Sequence, residues 1–218
     1  MTKYHPATHH VYLPAAGHDL FLPGYDLLTR VFGFNRAYRT LIDQAGLRPG
    51  LSVLEVGCGT GNLIVGARRA EHGIRGVGCD PDPRALARAE RKARSLSGLT
   101  FDRAYAQELP YGDGEFDRVL SSMMWHHLDE NVKPAAAQEF FRVLRPGGSL
   151  HLVDIGGEVG DDGGVLARRI RRSAHAAGNL GDAIPRRLSE AGFECRQVGT
   201  RRIRLVGPVA FFRAIRPE

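Results

Sequence analysis

Val53-Leu54-Glu55-Val56-Gly57-Cys58-Gly59-Thr60-Gly61 decides the fold. An apolar run carrying one acidic residue falls directly into three glycines at alternate positions. Such a run reads as a buried parallel strand that turns tightly into a helix. The glycines let the backbone make the turn and let a ligand approach it closely. Downstream, a second apolar run, Gly76-Val77-Gly78-Cys79, ends in Asp80. An acidic residue at the tip of the second strand of such a unit faces a ribose hydroxyl pair. The two runs together predict an adenosine-containing cofactor at the carboxyl edge of a parallel sheet.

The glycine spacing narrows the cofactor. A dinucleotide fingerprint, G-x-G-x-x-G, sets a pyrophosphate on the helix N-terminus. Read from Gly57 its third glycine falls on Asn62, and read from Gly59 it falls on Ile64. Neither register fits, and a nicotinamide oxidoreductase is disfavoured. The pattern is instead E-x-G-x-G-x-G, from Glu55 to Gly61.

Outward from this motif, strand and helix signals alternate as in an α/β protein. Helices are predicted over residues 62–71, 82–96 and 131–144, and strands over 74–79, 99–105, 116–121 and 149–155. Asp82-Pro83 is a strong helix start, with aspartate as N-cap and proline at the first helical position. Arg145-Pro146-Gly147-Gly148 is read as a helix stop. Residues 156–164 read as a joint, 165–177 and 182–191 as helices, and 193–206 with 208–215 as a hairpin at the sheet edge. The sum is a doubly wound sheet of seven strands, mostly parallel with one antiparallel strand, and helices on both faces. Residues 1–46 stand apart as an aromatic N-terminal arm and a helix from about Asp26 to Ala45. The arm reads as a lid over an apolar or aromatic acceptor pocket, and residues 47–218 as the cofactor-binding domain.

With 218 residues, the chain is long enough for one substantial core. No run approaches the roughly 20 apolar residues of a membrane span, and a cytoplasmic protein is expected. Cys58, Cys79 and Cys195 lack metal-ligand spacing, so neither a metal site nor a disulfide framework is expected. The net charge of +6 is carried almost entirely by arginine. Its densest cluster, Arg168-Arg169-Ile170-Arg171-Arg172, has no interleaved aromatic residues for base stacking. A solvated helix face is the expected reading, and nucleic acid is not the expected partner.

At residues 54–61 the chain resembles the class I S-adenosylmethionine-dependent methyltransferases, whose first motif reads almost letter for letter the same. Phe116-Asp117-Arg118-Val119-Leu120 and Leu144-Arg145-Pro146-Gly147-Gly148-Ser149-Leu150 resemble two further motifs of that family. Met123-Met124-Trp125-His126-His127-Leu128 resembles its ubiquinone- and menaquinone-biosynthesis branch. The resemblance implies a Rossmann-like methyltransferase fold with S-adenosyl-L-methionine as cofactor. It implies methyl transfer to O, C or N of a small molecule. Alternatives are an RNA methyltransferase and a non-catalytic cofactor-binding subunit. Gly57, Cys58, Gly59 and Gly61 would approach the cofactor through the backbone, and Asp80, with Pro81 beside it, would hold the ribose. Glu55 would orient the loop, or contact the cofactor's ammonium directly. Relatives carry an aspartate where Tyr105 stands, so an adenine contact falls to a backbone amide of Ala106 or Gln107. Ser121 would lie near the sulfonium, or else bond to its own strand's neighbours. Tyr25 would face the cofactor, or staple the arm to the domain. His126 and His127 follow the fourth strand at the ligand-binding edge. Either can take a proton from a hydroxyl nucleophile, or the pair can serve as packing. A monomer or homodimer is expected.

Overall fold

The computed structural model describes residues 34–156, 179, 181–203 and 206–218. The arm with Tyr25, residues 26–33 of the expected first helix, the arginine cluster at 168–172 and the helix expected over 165–177 lie outside the described residues.

The elements run α1 (Phe34–Ala45), β1 (Ser52–Val56), α2 (Asn62–Ala70), β2 (Arg75–Asp80), α3 (Pro83–Ala93) and β3 (Leu99–Arg103). They continue with β4 (Phe116–Ser122), a single 3₁₀ turn (Trp125–His127), α4 (Lys133–Val143), β5 (Leu144–Asp154), α5 (Ala183–Glu190), β6 (Glu194–Ile203) and β7 (Gly207–Ile215). One seven-stranded sheet has the order β3-β2-β1-β4-β5-β7-β6. β1 to β5 are parallel neighbours, and β7 inserts antiparallel between β5 and β6. The direction of winding reverses between β1 and β4, so a crevice opens above their carboxyl ends.

The central strands are buried on both faces, which is why β1 reads as an unbroken apolar run with a single acid. One face packs Ala136, Phe140 and Val143 of α4 and Ile184 and Leu188 of α5 against Leu54, Val119 and Leu152. The other packs Ala37 and Leu41 of α1 and Leu63, Ile64 and Ala67 of α2 against Val53, Leu120, Val153 and Phe211. Each fully buried large aliphatic side chain contributes about 1.5–3 kcal/mol to such cores.

Local signals hold where a side chain enforces them. Asp82 caps α3 by accepting the Arg84 amide at 2.8 Å, with Pro83 in the first turn. The turn at Arg145-Pro146-Gly147-Gly148 does stop α4, but it is absorbed into β5, which begins at Leu144. Two backbone bonds cause this: the Gly147 amide donates to the Arg216 carbonyl, and the Arg216 amide to that of Gly148. The irregular start of β5 is thereby stitched to the end of β7. No helix among the described residues is long and apolar enough to cross a membrane.

Candidate functional site

The glycine turn at the end of β1 is held from below by β2. The amides of Gly57 and Cys58 both donate to the Cys79 carbonyl, at 2.9 and 3.0 Å. All three glycines have positive φ, yet they are glycine for different reasons. A Cβ on Gly57 would lie 2.3 Å from Met124 Cγ, so this position lets the chain leaving β4 pass close. A Cβ on Gly61 would lie 2.8 Å from that of Ala89, so this position lets α2 approach α3. A Cβ on Gly59 would meet nothing within 4 Å. Of the three, Gly59 is the one that presents bare backbone to open space.

Two buried carboxylates support that turn. Glu55 is 3% exposed, and its Oε2 accepts the Ile64 amide at 2.8 Å, tying β1 to the first turn of α2. Burial pushes its pKa well up, and the nearby Asp80 charge adds to the rise. Asp80, 8% exposed, accepts the Gly59 amide on Oδ2 at 2.8 Å and the Asp82 amide on Oδ1 at 3.0 Å. Each carboxylate oxygen has a second lone pair, so Asp80 retains acceptor capacity beside Gly59. Its pKa is also raised, chiefly by burial. Asp80 beside the bare backbone of Gly59 suits a ligand bearing ribose hydroxyls. The donor set therefore fits S-adenosylmethionine, with Gly59 and Asp80 as the residues that would hold it.

Lys92 was not singled out by sequence reasoning. From α3 its Nζ donates to Thr60 Oγ1 at 2.8 Å and Asn62 Oδ1 at 2.7 Å, clamping the far side of the turn. Its charge also offsets that of Glu55. The available signal was scarcity, since lysine occurs only at Lys3, Lys92 and Lys133.

The second half of the site lies where β4 and β5 end. Met123 has φ of 56°, a left-handed conformation for a non-glycine residue, costing about 1–2 kcal/mol. It turns the chain so that Met124 lies over Gly57 and the 3₁₀ turn carries His126 toward β5. His126 Nδ1 lies 2.6 Å from Asp154 Oδ1. Asp154 is fully buried, accepts the Ile155 amide at 2.7 Å, and so has a fixed carboxylate plane. Burial of His126 works against its charge. The charge and hydrogen bond of Asp154 together outweigh burial and the opposing charge of Lys133, so the pKa is raised above 6.5. The His127 ring packs against His126, with centroids 4.0 Å apart and planes tilted by 39°. Asp154 too went unnamed from sequence, although it closes β5 as Asp80 closes β2.

The remaining residues fall around this edge. Ser121 is fully buried and donates to the Val56 carbonyl at 3.1 Å, bridging β4 and β1. Ala106 is buried and Gln107 half-buried in a tight turn where the Glu108 amide donates to the Tyr105 carbonyl. Pro81 is half-buried, its carbonyl accepting from Arg103. Cys58 and Cys79 are buried, and burial raises both thiols, Cys79 to about 12. Among the described residues, no cluster of three His, Cys, Asp or Glu side chains could hold a metal ion.

Residues 53–148 match the methyltransferase domain family. A demethylmenaquinone methyltransferase of Thermus thermophilus is 35% identical over 61% of this chain and 61% of its own length. An uncharacterised methyltransferase of Synechocystis is 34% identical over 57% of each. The chain thus spans less than two thirds of the length of these relatives. A phosphoethanolamine N-methyltransferase of Haemonchus contortus, solved with S-adenosyl-L-methionine, superposes with a TM-score of 0.75 at 17% identity, covering 94% of this chain and 59% of that one. The segment 53–148 is thus similar to methyltransferase domains, whose cofactor is S-adenosylmethionine. Its sequence relatives include the quinone-biosynthesis branch.

Proposed function

We propose that this protein transfers a methyl group from S-adenosylmethionine to a small molecule through an acceptor hydroxyl, with His126 as the general base. The observation that carries this reading is the 2.6 Å contact between His126 Nδ1 and Asp154. It fixes one ring nitrogen as donor and leaves Nε2 as the basic one. Bound S-adenosylmethionine supplies an electrophilic methyl group. What the chain supplies is positioning, which can contribute roughly 7–11 kcal/mol, and a place for the proton. A hydroxyl acceptor must lose its proton to attack well, directly or through the ring carbon of a phenol or enol. An amine attacks as its free base and needs no such partner. A base with a pKa raised above 6.5 suits proton removal near neutrality. His127 is proposed to support the His126 ring by packing against it. Gly59 and Asp80 are proposed to bind the cofactor, with Glu55 and Lys92 holding the turn in shape.

The test is a mass-spectrometric screen of phenols, enols, hydroquinones and amines for gain of one methyl group, alongside RNA. Turnover on a hydroxyl compound, lost in His126→Ala, is the expected result. Turnover on amines alone, unaffected by that change, would remove His126 from the chemistry. Methylation of RNA would move the chain to another substrate class.

A further inference from the structure

Lys133 opens α4 against two physical preferences. Its side chain is fully buried, and removing an ammonium from water is costly. It also stands in the first turn of the helix, where no acid accompanies it and a cation meets the positive end of the macrodipole. Local rules are broken most often where function requires it.

The ammonium is held in place. Its Nζ donates to Glu130 Oε1 at 2.6 Å and to Asn179 Oδ1 at 2.7 Å. Glu130 is half exposed and also accepts from Arg187 of α5, so one carboxylate serves two cations. Asn179 is fully buried, and the chain leaving β5 runs against it. A Cβ on Gly156, two residues after Asp154, would lie 2.3 Å from the Asn179 carbonyl oxygen. Lys133 is therefore fixed where the first turn of α4 meets the end of β5, on the same edge of the sheet as the His126–Asp154 pair. An imidazole 2.6 Å from a buried carboxylate is stabilised as the charged ion pair, and a ring so protonated accepts no further proton. Asp154 on β5 favours charge on His126, Lys133 on α4 opposes it together with burial, and His127 packs alongside on the same turn.

We propose that Lys133 is a positioning residue for proton transfer: its ammonium, held by Glu130 and Asn179, counters the pull of Asp154 and frees the neutral His126 ring that takes a proton. This rests on the reading of His126 as the base. In each turnover the acceptor hydroxyl gives its proton to Nε2 and its oxygen bonds the methyl carbon, while the carbon–sulfur bonding pair returns to sulfur. The proton must then pass from Nε2 to solvent before the next turnover. A fixed positive charge nearby favours that release.

The experiment titrates the His126 ring by NMR in the whole protein without cofactor, the signal being assigned by its loss in His126→Gln. In Lys133→Gln the ring pKa should rise by about 1 unit. Turnover of a phenol or hydroquinone from the screen should fall about tenfold on the acid side of its rise. It should recover the parent's rate at high pH, which the loss of a merely structural contact would not allow. Should Lys133→Gln unfold, Asn179→Asp, which neutralises the ammonium in place, must raise the ring pKa instead. A ring pKa unchanged in these variants overturns this proposal without touching the reading of His126 as the base. A ring that shifts while the turnover profile stays put overturns that reading, and this proposal with it.

Discussion

The His126 imidazole and the Asp154 carboxylate meet at 2.6 Å across the ends of neighbouring parallel strands, the acid fully buried and the histidine side chain 14% exposed. The contact has a measurable signature in pH. As a base His126 must be unprotonated, so turnover should rise with pH through a pKa above 6.5. Asp154→Asn removes the groups that raise that pKa and leaves burial in control, so the rise should move to lower pH while the plateau falls. His126→Ala should lose about 10²–10⁴-fold in kcat with the cofactor still bound. An unmoved pH profile in Asp154→Asn would separate the acid from the base. The sign for stability is opposite to that for turnover. A raised folded pKa makes the pair stabilising below 6.5, a contribution lost as pH climbs through the folded value.

Gly57 and Gly59 should respond oppositely to alanine. Gly57→Ala drives a Cβ into Met124, so stability should fall by about 1–3 kcal/mol. Gly59→Ala meets only open space and pays mainly for its left-handed backbone, about 1–2 kcal/mol or less. Cofactor affinity should be the property that Gly59→Ala loses. Thermal melts with calorimetric titration of S-adenosylmethionine would read both, and equal cofactor loss in the two variants would refute the distinction.

Asp80→Ala removes the acceptor of the Gly59 amide, on the carboxylate proposed to hold the ribose. S-adenosylmethionine and its demethylated product should both bind about 10–150-fold more weakly. Normal binding of either would show that another group holds the ribose.

Lys92→Met keeps the length of the side chain and deletes its two hydrogen bonds to the turn. The cofactor KM should rise several-fold with kcat nearly unchanged, since the clamp shapes the binding turn and stays clear of His126. Lys92→Arg should restore part of the loss. A drop in kcat alone would contradict this role.

His151 predicts an acid limb in stability. Its folded pKa of about 3 lies below the ordinary 6.5, so its contribution is intact above 6.5 and is lost as pH falls toward 3. The loss is on the order of 3–5 kcal/mol. Denaturant titrations from pH 7 to 4 should be flatter in His151→Gln, and an equally steep loss in that variant would place the acid sensitivity elsewhere.

Much of this protein could be read from local sequence. The β1 run, the glycine turn, Asp80 closing β2 and Asp82-Pro83 opening α3 lie within a few residues of the structure they specify. Each acts through its own backbone, by burial period, positive φ or capping. The resemblance carried by those segments extends to the cofactor for the same reason, since the turn and Asp80 belong to one βαβ unit. What only the tertiary structure decided are pairings between residues far apart in sequence. Asp154 meets His126, Lys92 reaches Thr60, and Gly57 makes room for Met124, while Gly59 alone of the three glycines faces open space. Such contacts depend on strand order and register. Those are fixed by the packing of two whole faces of helices on the sheet, and no single stretch of sequence contains them.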